Sequence, residues 1–124
     1  MLLLVFKAYV QLLRCGAYVS RRDFSGLYEK VRQSPMKPSR GASISCVRVC
    51  RAIDLACIWH WKQIQCLQRS AATTCLLRSH GTNAQMVIAS RRMPFQAHAW
   101  VEVEGQVVND KPHVQQTYAV LDRC

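Results

Sequence analysis

Residues 66–110 read CLQRSAATTCLLRSHGTNAQMVIASRRMPFQAHAWVEVEGQVVND, and this stretch decides the fold. Its beginning predicts a helix from Cys66 to Gly81, because a cationic last turn followed by glycine is a common way for a helix to end. After Gly81 the period changes, and short β-compatible runs follow at 84–90, 97–103 and 106–110. A helix that precedes a small antiparallel sheet indicates an α+β fold.

The residues before this stretch predict further helices. The chain divides into an N-terminal helical segment at 1–33, a connector at 34–44 that is rich in proline and serine, and a core at 45–124. With 124 residues it is long enough for one domain, 1–124, and too short for two ordinary ones.

The apolar start of the chain predicts an amphipathic helix over 2–18. Its expected buried stripe contains Phe6, Val10, Leu13 and Ala17, which recur at helical spacing. The uninterrupted apolar run is too short to span a membrane, which takes about 20 residues. We expect this helix to cover the sheet, or to lie against a partner or a membrane surface.

Composition indicates a packed and strongly basic chain. Half of the residues are hydrophobic, and 17 Lys and Arg against seven Asp and Glu give a net charge of +10. Such a charge favours anionic partners, but the basic residues are dispersed and no standard nucleic-acid motif is present. We therefore expect no nucleic-acid partner. A basic nucleic-acid- or partner-binding module with a structural Cys-rich core remains an alternative function.

Seven cysteines allow a disulfide framework, a metal site, or ordinary thiols with one catalytic cysteine. The odd number argues against a complete set of intramolecular disulfides, and we expect a reduced, cytoplasmic protein. Cys46, Cys50, Ile53 and Cys57 form one helical stripe, in which the cysteines are expected to act as small buried hydrophobes. The rival interpretation is a metal site with His60 as fourth ligand. We expect no metal ion and no cofactor.

Cys66 is the candidate nucleophile. It lies where the helix begins, and the partial positive charge of a first helical turn favours a thiolate. Arg69, one turn later, adds positive potential. Cys75 is nine residues further on, or two and a half turns, so it is expected to point away from Cys66 and into the core.

His98 is the candidate base, and Asp110 is the candidate carboxylate that orients it. A two-residue turn at Glu104-Gly105 would pair Ala99 with Asp110 and place His98 on the opposite face of the sheet. A three-residue loop at 103–105 would pair His98 with Asp110, and glycine in its third position suits a G1 bulge. We therefore predict the bulged hairpin. Spacing alone leaves three competing bases: His60, His80 and His113.

The motifs of this stretch resemble the transglutaminase-like leader peptidases of lasso-peptide biosynthesis. That family shows an opening Cys-Leu-x-Arg-Ser/Ala, a Leu-Leu-Arg run that ends in glycine, and a short strand. Phe-x-x-His-Ala-Trp-Val-Glu, a glycine turn and a final aspartate follow. All of these occur in residues 66–110, in this order. One departure is Ala89, where family members often have glycine, and an alanine there would tighten the cleft.

The resemblance implies a transglutaminase- or papain-like core, with the catalytic cysteine at a helix N-terminus packed on a small antiparallel sheet. It makes Cys66 the nucleophile, His98 the general base and acid, and Asp110 the orienting group. The implied function is a cysteine peptidase that removes the leader from a ribosomally synthesised lasso-peptide precursor through a thioester acyl-enzyme. A transglutaminase-like acyltransferase uses the same triad and remains an alternative.

The resemblance also implies partners. The substrate is the leader–core precursor peptide, and the freed core passes to an ATP-dependent lasso cyclase. ATP belongs to that partner, since this chain has no phosphate-binding glycine loop. The 45 residues before Cys46 are too few for the leader-recognition domain that some family members carry, so a separate leader-recognition protein is expected. A peripheral membrane or exporter contact is expected through the basic surface or helix 2–18.

Overall fold

The computed structural model describes residues 2–35, 46–60, 64–92 and 95–124. Its elements are α1 Leu2–Ser20, α2 Phe24–Gln33, α3 Cys46–Trp59, α4 Cys66–Ser79, β1 Ala84–Arg92, β2 Phe95–Val103, β3 Gln106–Val107, α5 Val114–Thr117 and β4 Ala119–Arg123. Helices followed by an antiparallel sheet confirm the predicted α+β fold. The connector predicted at 34–44 lies mostly outside the described residues. Elements α5 and β4 were not predicted, because the sequence beyond Asp110 carries too little pattern.

Helix α4 is the centre of the molecule. It packs against α1, α2 and α3 and against strands β1 and β2, and residues 70–77 are all buried. Since the helix is covered on nearly every side, small alanine and threonine side chains in its middle let the neighbouring elements approach closely. The helix ends at Ser79, and Gly81, predicted to stop it, follows the C-cap residue His80 with φ +85°. The N–H of Thr82 donates to the Leu77 carbonyl at 3.0 Å and closes a Schellman motif.

The buried face of α1 is not the predicted one. Phe6 is 65% exposed and Leu13 is 45% exposed. The buried residues of this helix are Leu4, Ala8, Leu12 and Cys15. Because α1 is apolar around most of its circumference, periodicity alone selects no face, and packing against α3 and α4 decides which one is covered.

Helix α1 is docked closely on α4. The side-chain amide of Gln68 donates to the Leu12 carbonyl at 2.8 Å, and a Cβ on Gly16 would lie 2.7 Å from that amide nitrogen. The glycine therefore leaves room for this contact. By length and composition α1 could cross a membrane, as the one such helix among the described residues, but a core helix passes the same test.

The strands form an antiparallel sheet in the order β3-β2-β1-β4. The predicted register of the β2–β3 hairpin is wrong, because Val103 pairs with Gln106 across a two-residue turn. Glu104 and Gly105 both have positive φ, 53° and 78°, which is a type I′ turn instead of a G1 bulge. The two-residue turn is the alternative considered from the sequence, and glutamate, an unusual residue at positive φ, counts against it. The twist of this turn matches that of the strands.

The other face of the sheet carries a second, smaller core. Its buried residues are Val87, Ala89, Trp100 and Val114. Side chains alternate between the two faces along a strand, so Trp100 and Glu102 share this face with His98. Helix α5 covers it through Val114. The residues after Asp110 therefore complete the sheet and its second core.

Glu102 is buried in this second core, with only 4% of its side chain exposed. Its carboxylate accepts hydrogen bonds from Trp100 Nε1 at 2.8 Å, Gln115 Nε2 at 3.0 Å and Arg123 Nη1 at 2.5 Å. Burial raises the pKa of Glu102, but these hydrogen bonds and the charge of Arg123 outweigh it and hold the pKa below its ordinary value. The carboxylate ties β2 to both α5 and β4.

We predict that the fold loses stability in acid because of Glu102. The pKa of Glu102 is lower in the folded than in the unfolded chain. Its contribution to the free energy of unfolding is therefore fully present above about pH 4.3, the ordinary glutamate pKa, and is lost as the pH falls through the pKa of the folded state. Glu102→Gln should lower the free energy of unfolding at neutral pH by about 2–3 kcal/mol and reduce its acid dependence. Urea unfolding at neutral pH and at about pH 3.5 measures both effects. An equal acid dependence in the two proteins would contradict this prediction.

Candidate active site

Cys66 is the first residue of α4, as predicted. Gln65 is the N-cap residue, with an extended backbone (φ −79°, ψ 157°), and its side chain does not cap the helix. The N–H groups of the first turn, with their partial positive charge, therefore lie beside Cys66 without competition from a capping side chain. Cys66 is exposed, so a substrate can reach its Sγ.

His98 and Asp110 are hydrogen-bonded to each other, with 2.5 Å between His98 Nε2 and Asp110 Oδ2. The backbone N–H of Lys111 donates to the other oxygen, Oδ1, at 2.7 Å. Burial raises the pKa of Asp110, but the hydrogen bonds from His98 and Lys111 and the charges of His98 and Arg69 outweigh it and leave the pKa below its ordinary value. The carboxylate holds His98 through Nε2, which leaves Nδ1 as the ring nitrogen available to a thiol.

Asn109 explains how Asp110 reaches His98 in the observed register. The backbone N–H of Val101 donates to Asn109 Oδ1 at 2.8 Å. The Asn109 side chain thus takes the place of the backbone carbonyl that would accept this hydrogen bond if the β2–β3 pairing continued. Asn109 Nδ2 donates to Ser70 Oγ at 3.2 Å and links this point to α4. The chain leaves the ladder here, and Asp110 is free to turn toward His98. Sequence reasoning missed Asn109, whose one signal is an amide at the end of a strand.

Cys66, His98 and Asp110 line one pocket, with a volume of about 230 Å³. The other lining residues are Ile64, Arg69, Ser70, Ala99 and Asn109. The structure therefore brings the three predicted residues together from α4, β2 and the segment after β3. Arg69 forms an ion pair with Asp54 and adds positive charge beside the pocket.

The competing histidines lie elsewhere. The His60 ring is 5.6 Å from the Tyr9 ring, His80 is the C-cap residue of α4, and His113 is the N-cap residue of α5. Within the described parts of the chain, His98 is the one histidine that lines the Cys66 pocket.

Cys75 is a second thiol with unusual surroundings. It is 2% exposed, as expected for a core residue, and its Sγ accepts a hydrogen bond from Lys30 Nζ at 3.7 Å. A hydrogen bond from Cys15 lowers the pKa of Cys75 to about 6, with help from the Lys30 charge and against the effect of burial. Cys75 lines a different pocket, of about 530 Å³, whose described lining contains no histidine. Among the described lining residues it has the cation Lys30 and the carboxylate of Glu29, but not the imidazole base that lies beside Cys66.

The cysteines of α3 are half-buried, less than was expected. Cys46 and Cys57 pack against the main core, and Cys50 Sγ donates to the Val108 carbonyl at 3.5 Å. Burial raises the pKa of Cys50 to about 11, which keeps it a thiol. Among the residues that the structure describes, no three His, Cys, Asp or Glu side chains are grouped as metal ligands would be.

Comparison with known protein families identifies this fold. The family model of the transglutaminase-like superfamily matches residues 9–123, from within α1 to the end of β4. The chain belongs to the transglutaminase-like superfamily. Among curated proteins, this transglutaminase-like chain is similar to the Microcin J25-processing protein McjB of Escherichia coli, with 39% identity over 70 residues. That alignment covers 55% of the chain and 34% of McjB, so the matched part is about a third of the length of this relative. No solved structure matches the chain.

Proposed function

We propose that this transglutaminase-like protein is a cysteine peptidase that removes the leader from a ribosomally made lasso-peptide precursor. One observation carries the proposal: Cys66 at a helix start shares a pocket with a His98–Asp110 hydrogen-bonded pair. The similarity to McjB, a processing protein of the lasso peptide microcin J25, supports the substrate class. The roles are those expected from the sequence, with Cys66 as nucleophile, His98 as base and acid, and Asp110 as orienting group.

The reaction follows from this arrangement. The Cys66 thiolate attacks the carbonyl carbon of the last leader residue, and the backbone N–H of Cys66 donates to the resulting oxyanion. His98 gives the Nδ1 proton to the departing amine, the C–N bond breaks, and the leader remains on Cys66 as a thioester. Nδ1 then takes a proton from water, which attacks the thioester, and the C–S bond breaks to release the leader carboxylate. Asp110 stabilises the imidazolium through Nε2–H.

The proposed partners follow from the same pathway. A separate leader-recognition protein presents the precursor, and an ATP-dependent cyclase receives the core peptide in the cytoplasm. The exposed apolar residues of α1, Leu2, Leu3 and Phe6, together with the net charge of +10, offer a surface for such a partner or for a membrane or exporter contact.

The proposed cleavage can be tested with a lasso-peptide precursor and its leader-recognition protein. Mass spectrometry should find a leader and a core whose masses add up to the precursor plus one water. The same reaction with an added primary amine separates peptidase from acyltransferase, because acyl transfer would leave the amine attached to the leader carbonyl. An intact precursor, in the presence of a leader-recognition protein that binds it, would overturn the proposal.

A further inference from the structure

Tyr118 packs on the face of the His98 ring. The two ring centroids are 5.2 Å apart and the planes are inclined by only 26°, which is a stacked arrangement. Trp100 touches both from the side, with its ring 6.0 Å from that of His98 and 6.1 Å from that of Tyr118. The guanidinium carbon of Arg91 lies 5.6 Å from the centroid of the Tyr118 ring. Tyr118 therefore covers one face of the His98 ring, and Trp100 lies close to both rings.

The stacking contact and the hydrogen bond to Asp110 together fix the orientation of the His98 ring. A hydrogen bond at Nε2 fixes one edge of the imidazole but still allows the ring to tilt about that bond. A flat ring against its face removes this freedom, so that the plane of His98, and with it the direction of Nδ1, is set by Asp110 and Tyr118 together. A displacement of about 1 Å at a catalytic group can cost about 10²-fold in rate, so this direction matters.

Hydrogen bonds to the buried Glu102 carboxylate hold the segment that carries Tyr118. Glu102 accepts from Trp100, the ring that touches both His98 and Tyr118, and from Gln115 and Arg123, which flank Tyr118 in sequence. Gln115 Nε2 also donates to the Gly105 carbonyl at 2.9 Å, which ties the segment to the hairpin turn. One carboxylate on the His98 strand thus fixes the segment that carries Tyr118.

We propose that Tyr118 is a positioning residue, which orients the imidazole of His98 by stacking, and that Glu102 anchors the segment that presents it. The role of α5 and β4 is then to complete the active site by presenting Tyr118 to His98. This inference rests on the proposed function, because it assigns Tyr118 a part in the step that His98 performs. The ring is what matters here, and the phenol hydroxyl is not used.

The test compares Tyr118→Leu with Tyr118→Phe. Tyr118→Phe keeps the ring and should keep kcat within about twofold, whereas Tyr118→Leu should lower kcat by about 10- to 100-fold with KM nearly unchanged. Tyr28→Leu is the matched control, because it removes the ring of another half-buried tyrosine that packs on the main core. It should lower the unfolding temperature without lowering kcat.

A second measurement needs no peptide. Mass spectrometry can follow the rate at which iodoacetamide alkylates Cys66 at neutral pH, a rate that depends on a correctly placed His98. Tyr118→Leu should slow this alkylation and Tyr118→Phe should not. If the wild type cleaves no precursor but shows this pattern, the positioning role holds and the proposed substrate fails. Wild-type kcat in folded Tyr118→Leu, or an equal loss in Tyr118→Phe, would overturn the positioning role. Unchanged alkylation in Tyr118→Leu would do the same.

Discussion

Replacement of Cys66 by alanine is expected to abolish precursor cleavage, with a fall in kcat of about six orders of magnitude. Cys66 is the one thiol among the described residues that line the pocket, and Ser70 Oγ is held by Asn109 Nδ2, so the remaining residues would have to activate water directly. Cys66 is exposed at a helix start, and the substitution should therefore change the free energy of unfolding by no more than about 0.5 kcal/mol. The measurement is single-turnover cleavage followed by mass spectrometry, with circular dichroism melting as the check on folding.

Cys75→Ala is the matched control for this prediction. Its lowered pKa makes Cys75 the rival nucleophile on chemical grounds, but its pocket lacks a histidine among the described lining residues. We expect Cys75→Ala to retain most of the cleavage and to cost some stability, because Cys75 is buried beside Cys15 and Lys30. Cleavage that survives in Cys66→Ala and disappears in folded Cys75→Ala would move the active site to the other face of α4.

Replacement of Asp110 by alanine should lower kcat by about two to four orders of magnitude, since removal of the third triad member has effects of this size in hydrolases. Alanine removes the acceptor that holds His98 Nε2 at 2.5 Å and the charge that stabilises the imidazolium. Asp110→Asn should not restore the rate. The Lys111 N–H holds one side-chain oxygen of residue 110, so the amide NH2 of asparagine would face Nε2 and donate to it, which places the imidazole proton on Nδ1 and removes the base. Precursor cleavage at saturating substrate measures kcat for the wild type and both variants, and both should fall by about two orders of magnitude or more.

Asp122→Ala controls for the loss of a carboxylate as such. Asp122 pairs with Arg32 at the surface, its side chain is 43% exposed, and it lies outside the pocket, so its removal should leave kcat unchanged. Equal rates in wild type and Asp110→Ala would mean that His98 is oriented by other contacts, and the triad would lose its third member.

Local signals were sufficient for part of this fold. The α4 boundaries could be predicted because Cys66 and Gly81 mark the ends of a helix by residues that are adjacent in sequence. Strands β1 and β2 could be predicted for the same reason, from short apolar runs with a change of period. The buried face of α1 could not, because a helix that is apolar almost all round presents Leu4 and Phe6 as equally good core residues.

The hairpin shows a different limit. Glycine at position 105 is compatible with both a G1 bulge and a type I′ turn, and the choice depends on whether Glu104 adopts positive φ. The register that we predicted for His98 and Asp110 was wrong, yet the two side chains meet. They meet because Asn109 ends the ladder with its own side chain, a contact that involves α4 through Ser70 and cannot be inferred from the hairpin alone.

The sequence alone determines the α+β class, the helix that begins at Cys66 and the strand that carries His98. It also shows the family resemblance that singles out Asp110. The tertiary structure decided the face of α1 that is buried, the path by which Asp110 reaches His98, and the return of residues 114–123 that sets Tyr118 on the imidazole. The physical reason is the range of the interactions. Helix ends and strand periodicity depend on neighbours in sequence, whereas the contacts of the candidate site depend on which side chains the packing of α4 and the sheet brings together.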